Sequence, residues 1–275
     1  MRTGILVLVA LGTLGVSARQ APLPPALREM ADTERAFAAR ALAVGWKQSF
    51  LEFFSDAATG FGGQTGPAKA LIRKAPDPPR DAQLLWEPRF GDIAASGELG
   101  WLTGPVTSIN PARGNTPRYS NYSSVWKREG DAFKVVMDLG TDTPDFVPYA
   151  PGFTRAPASD RYTGDPAGAT ESLRAADAAL NTALLTNQQA AYRGRMAEAA
   201  RLHRSNLMPL IGETAALAWL ATQKPHPTAT TEFAEAARSA DLGYAWGHTG
   251  KGFYTRVWSR GRSGDWKVAL DVVVE

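Results

Sequence analysis

Cysteine is absent from all 275 residues. Its absence excludes disulfides, thiolate metal sites and a cysteine nucleophile. Histidine occurs only at His203, His226 and His248. No two of them have the close spacing of a local metal motif, so the sequence supports neither a metal site nor any cofactor. A strong charge of one sign is also missing. Thirty basic side chains against 27 acidic ones leave a formal charge of +3, too little for a nucleic-acid footprint. The densest basic stretch, Arg256 to Arg262, is spread over a strand-like segment and a turn. The glycines at Gly60 to Gly66 and Gly247 to Gly252 lack the spacing and flanking elements of phosphate-binding loops.

What is present is a duplication. Leu27-Arg28, Gly66, Ala70-Leu71 and Ala75 recur at an offset of 146 as Leu173-Arg174, Gly212, Ala216-Leu217 and Ala221. Leu99-Gly100-Trp101 and Gly104 recur as Leu242-Gly243-Tyr244 and Gly247. Val125-Trp126 recurs as Val257-Trp258, and Phe133-Lys134-Val135 with Asp138 recurs as Trp266-Lys267-Val268 with Asp271. The order is kept, so the chain reads as two domains of ordinary size in tandem. The expected boundaries are 26–140 and 169–275, with a proline-rich linker at 141–168. Phe146, Tyr149 and Phe153 give that linker aromatic groups that could lie against a domain.

The first residues read as a secretory signal. Arg2 precedes an apolar run from Ile5 to Val16, too short to span a bilayer, and Val16-Ser17-Ala18 suits a signal peptidase. Cleavage after Ala18, with Ala21 as the alternative, implies a periplasmic or secreted protein with no stable membrane anchor.

Each copy opens helical and ends in strands. Leu27, Met30, Ala31, Phe37, Ala38 and Ala41 form one stripe, with Glu34 as its polar exception. A second helix carries Trp46, Phe50 and Phe53, and a third runs from Ala68 to Lys74. In the second copy the helices are expected at Leu173 to Leu184, Ala190 to Leu202 and Glu213 to Leu220. Aromatic and β-branched residues then dominate, with turns at Gly130-Asp131 and Gly264-Asp265. Helices followed by a curved antiparallel sheet make an α+β roll.

The third-helix starts Gly66-Pro67-Ala68 and Gly212-Glu213-Thr214 carry a family resemblance. So do the paired endings Val125-Trp126 with Phe133-Lys134-Val135 and Val257-Trp258 with Trp266-Lys267-Val268. Each copy resembles the nuclear transport factor 2-like (NTF2-like) superfamily, nearest to its SnoaL-like and DUF4440-type domains. The resemblance implies a sheet curled around its helices into a cone with a pocket inside. Some relatives place His, Asp or Tyr there for proton transfer; others bind small apolar molecules.

The last strand decides between these readings. Strict alternation puts Phe133, Val135, Met137 and Leu139 on one face, and Trp266, Val268, Leu270, Val272 and Val274 on the matching face of the second copy. If those faces line the cones, the pockets are greasy. Asp138 and Asp271 then fall on the opposite face with Lys134 and Lys267, as solvated or inter-domain groups. The expected function is binding of a small apolar or aromatic molecule without catalysis, lined by Trp101, Trp126, Met137, Tyr244, Trp246, Trp258 and Leu270. The alternatives are an isomerase, dehydratase or hydrolase using His248 or Tyr244, and a protein-interaction module. A flexible linker of about 28 residues spans roughly 25–30 Å. It would allow the faces bearing Lys134, Val136, Asp138 and Lys267, Ala269, Asp271, Val273 to meet as an intramolecular pseudo-dimer.

Overall fold

The computed structural model describes residues 22–61, 64–79, 81–158, 160–250 and 252–274. The expected signal segment, residues 1–18, lies outside them. Among the described residues, no helix is long and apolar enough to cross a membrane.

Proline at the first turn needs no amide partner and already has helical φ, so Pro25 opens helix α1 (Pro25–Val44). The stripe Leu27, Met30, Ala31, Glu34, Phe37 and Ala41 is buried along it. Gly45, at φ 88°, then turns the chain into α2 (Trp46–Phe53). A small hairpin, β1 (Thr59–Phe61) and β2 (Gln64–Pro67), leads into α3 (Ala68–Lys74). The strands β3 (Gln83–Trp86), β4 (Phe90–Ile93), β5 (Leu99–Ile109), β6 (Arg118–Glu129) and β7 (Ala132–Thr143) follow. They form an antiparallel sheet ordered β7-β6-β5-β4, with β3 on the far stretch of β5. A short β8 (Thr154–Arg155) extends the β4 edge in parallel.

The second half repeats the plan with α4 (Ala169–Leu184), α5 (Gln188–Tyr192), β9 (Met196–Arg204), β10 (Leu210–Ile211) and α6 (Gly212–Leu220). Then come β11 (Ala229–Ala236), β12 (Leu242–Thr249), β13 (Gly252–Arg260) and β14 (Trp266–Val274). Their sheet is ordered β10-β9-β14-β13-β12-β11. The run β14-β13-β12-β11 thus follows the same course as β7-β6-β5-β4, and the fold class is α+β.

One element departs from the sequence expectation. The alanine-rich stretch from Ala190 to Leu202 is helical only to Tyr192; from Met196 it is strand β9. Gly194, at φ 70°, breaks the helix. The open edge of β14 then pairs with β9 in parallel from Val268↔Met196 to Val273↔Arg204. Tertiary pairing overrides alanine's helix propensity here. The first copy makes the equivalent contact with one bridge, Phe54↔Val135.

A β-bulge in each copy decides which side chains face where. Trp126 pairs with Val135 and Val125 with Met137, so Val136 is the extra residue. Trp258 pairs with Val268 and Val257 with Leu270, so Ala269 is the extra residue. A bulge reverses the alternation beyond it. Phe133 and Val135 pack under the helices, whereas Met137 and Leu139 pack against the other sheet. Trp266 and Val268 divide from Leu270 and Val272 in the same way. Asp138 and Asp271 therefore point into the cones, beneath α1 and α4. This corrects the solvated or inter-domain position that strict alternation assigns to them.

The two sheets meet over a third core that includes Trp101, Met137, Leu139, Tyr244, Val257 and Leu270. Of the residues expected on this contact from their alternation, Val136 and Ala269 lie in it. The proline-rich segment is a strap across both halves. Tyr149 Oη donates to Asn121 Oδ1 at 2.8 Å, Phe153 packs on the first core, and Arg161 bridges Asp92 and Asp241.

Candidate functional site

Past its bulge, each sheet brings one residue of the Trp-bearing strand opposite the inward aspartate. In the second cone this pair is Arg256 opposite Asp271. Helix α4 adds Asp177 and Asn181, one turn apart on its buried face. Arg256 is wholly buried. Its guanidinium lies 3.0 Å from Asp177 Oδ1, 2.8 Å from Asn181 Oδ1 and 3.3 Å from Asp271 Oδ2. It also rests 3.9 Å from the centre of the Tyr254 ring. Tyr254 Oη donates to Asp177 Oδ2 at 2.5 Å, and Trp258 Nε1 donates to Asp177 Oδ1 at 3.2 Å. Tyr192 donates to Asp271, and Arg204 reaches the same carboxyl at 3.5 Å. Burial first, and the Asp177 charge second, hold the Asp271 carboxyl well above the usual carboxylate range.

Arg204 carries this network to the surface. Beside it opens a cleft of about 730 Å³, lined among others by Gln188, Trp219, Lys224 and His226. The Arg204 guanidinium sits 5.8 Å from the Trp219 ring centre. His226 is pushed down to about 4 by burial, then by Arg204 and Arg256, so it is uncharged at neutral pH.

The first cone has the same frame with different contents. Glu34 is fully buried on α1 and accepts from Trp86 Nε1 at 2.7 Å, Ser124 Oγ at 2.8 Å and Trp126 Nε1 at 2.9 Å. Burial raises its carboxyl above the usual range despite those donors. Asp138, opposite Ser124, is pushed well up by burial and then by Glu34.

The residues expected from the sequence separate into groups. Trp126 and Trp258 lie under the helices and bond to helix carboxylates. Trp101, Met137, Tyr244 and Leu270 are buried between the sheets, and Trp246 packs at the margin of that core. Burial, then Glu235, pushes the Tyr244 hydroxyl far up, so it holds its proton at neutral pH. His248 stands at the rim, its Nδ1 2.5 Å from Glu232 Oε1. Glu232 and Trp246 border a cleft of about 450 Å³ together with Asp56 and Thr65 from the first half. His203 is sealed between the halves, 3.0 Å from Ser123 Oγ, and pushed down to about 3, chiefly by burial.

Asp177, Asn181, Arg204 and Arg256 escape the sequence reading. Their signal was a polar residue where the helical or strand period demands an apolar one. Asp177 and Asn181 interrupt the stripe of Leu173, Leu180 and Leu184, and Arg256 stands between the inward Tyr254 and Trp258.

No protein-family model matches the chain, and no curated protein does. Among solved structures, the chain is similar to an NTF-2-like protein of unknown function from Shewanella oneidensis, with 9% identity and a TM-score of 0.34. That likeness covers 42% of this chain and 98% of that one. The chain is also similar to a hexachlorocyclohexane dehydrochlorinase from Novosphingobium barchaimii, with 15% identity and a TM-score of 0.35, over 48% of this chain and 96% of that one. These likenesses concern fold and carry no activity to this chain.

Proposed function

We propose that the protein is exported and binds a small aromatic molecule bearing an acidic group, at the mouth of the second cone. The carrying observation is the cleft of about 730 Å³ in which Trp219 stands beside Arg204, Lys224 and His226. A ring stacked on Trp219 would bring its acidic group to Arg204 and Lys224. Arg204 is held ready by Asp271, so little ordering is left to binding. The aromatic ligand expected from the sequence keeps its ring and gains a charge. His226, a weak base at about 4, supports binding without catalysis.

Native mass spectrometry of purified protein would detect a co-purified ligand. Calorimetry with benzoate against benzyl alcohol tests the charge requirement. Trp219→Ala and Lys224→Ala should each weaken benzoate by roughly five- to tenfold. Equal binding of the alcohol, or no effect of either variant, would remove this reading.

A second reading rests on the exposed Glu232–His248 pair, which has the carboxylate partner that a general base needs. It is tested by His248→Gln, which should abolish any turnover found on a substrate panel while leaving benzoate binding intact.

A further inference from the structure

The register of the two sheets allows the cones to be compared residue by residue. Ser124 faces Asp138 across the hairpin one position past the bulge, as Arg256 faces Asp271. Tyr122 matches Tyr254, and Trp126 matches Trp258, at the same spacing from those residues. Each cone also has a helix carboxylate, Glu34 or Asp177, that accepts its tryptophan's indole proton. One difference is that the second cone holds a guanidinium where the first holds a hydroxymethyl group.

The second cone shows what the frame does with a cation. Arg256 joins Asp177, Asn181 and Asp271, and the Tyr254 hydroxyl is bonded to Asp177. In the first cone, the matching groups lack that centre. Among the described residues, the Asp138 carboxyl has no hydrogen-bond partner, although its acidity registers the charge of Glu34. The Tyr122 hydroxyl is buried in a side chain only 5% exposed, has no partner and lies within the electrostatic reach of both carboxyls. A buried unpartnered hydroxyl destabilises the fold and is a standing demand for a ligand or water. Arg35, the nearby cation that Tyr122 also registers, is bonded to Asp32 on the outer face of α1. The Asp138 side chain keeps partial access to solvent.

We propose that the first cone is a receptor for a compact organic cation, a primary ammonium or a guanidinium, that occupies the place Arg256 fills in the second cone. The cation lies between the Asp138 and Glu34 carboxyls, with the Tyr122 hydroxyl as a further acceptor. Trp86 and Trp126, already fixed on Glu34, supply the aromatic walls that a cation favours. The site is separate from the anion-binding cleft of the second cone, so either can exist without the other.

Calorimetry on the whole protein with benzylammonium and with guanidinium, against neutral benzyl alcohol, tests the proposal. Binding of at least one cation, without binding of the alcohol, is the expected result. Asp138→Asn, nearly isosteric, should weaken the cation by roughly thirtyfold or more. Ser124→Arg should abolish binding by placing the second cone's guanidinium in the first. Trp219→Ala should leave cation affinity unchanged, which separates this site from the benzoate site. Absence of heat with both cations would overturn the proposal, and so would undiminished affinity in a folded Asp138→Asn protein.

Discussion

Trp126 donates its indole proton to Glu34 across 2.9 Å, at the centre of the first hydrophobic core. A carboxylate in such a place is tolerated only when its lone pairs are satisfied, and Glu34 has three donors. The second core solves the same problem with Trp258 and Asp177. Asp177 stands one helical turn nearer its helix start, relative to the duplicated Leu27 and Leu173, than Glu34 does. Glu34→Ala should therefore orphan the Trp86 indole and the Ser124 hydroxyl, while Trp126 keeps Ser124 Oγ, and cost about 2–5 kcal/mol in urea unfolding. Glu34→Leu should be no better, because the orphaned donors remain.

Arg256 joins two buried aspartates, and its removal takes the cation from Asp177 and leaves Asp271 with Arg204 alone. Arg256→Met should destabilise the protein by about 3–5 kcal/mol. Adding Asp271→Asn should recover part of that loss. A double-mutant cycle by denaturant unfolding measures the coupling, and strict additivity would show that the pair does not act as a unit.

His203 and Asp138 give the pH profile opposite slopes. His203 has a folded value near 3 against an ordinary 6.5. Between those values the unfolded chain binds more protons, so its contribution to stability is lost as pH falls. Asp138 has a folded value well above 3.8. There the native state binds more protons, so stability falls as pH rises through the window. His203→Gln should flatten the acid limb of urea midpoints against pH. Asp138→Asn should raise the midpoint at neutral pH, with the gain vanishing below about pH 4.

Gly104 and Gly247 occupy duplicated positions for a reason of space. A Cβ at Gly104 would lie 1.9 Å from the Glu87 carbonyl oxygen, and one at Gly247 would lie 1.9 Å from that of Thr230. Each would also press on its tyrosine, Tyr122 at 3.0 Å and Tyr254 at 3.1 Å. Alanine at either position should cost about 1–3 kcal/mol or more, because backbone must move. A thermal midpoint unchanged in either variant would contradict the close approach.

The broad apolar faces of both sheets are spent on each other within one chain. We expect the mature protein to sediment as a single chain at micromolar concentration, with an N-terminus after Ala18. A stable two-chain species would show that the sheets also pair between molecules.

The duplication, the three helices of the first copy and the stripe from Leu27 to Ala41 were all legible in the residues, because each is a local or periodic signal. The sequence by itself also marked Glu34 as an intruder on an apolar face. Three things were decided only by the tertiary structure. The edge of β14 turned an alanine-rich segment into β9, since unsatisfied strand amides outweigh a small propensity difference. One extra residue in each last strand, Val136 and Ala269, reversed the faces beyond it and sent Asp138 and Asp271 inward. A bulge leaves no mark on hydrophobic alternation when its extra residue is itself apolar. Finally, the contrast between Ser124 and Arg256 is only a change of residue type in sequence. The helices close over both positions, and that burial sets a guanidinium against Asp177 and Asp271 in one cone and a hydroxyl against Glu34 in the other.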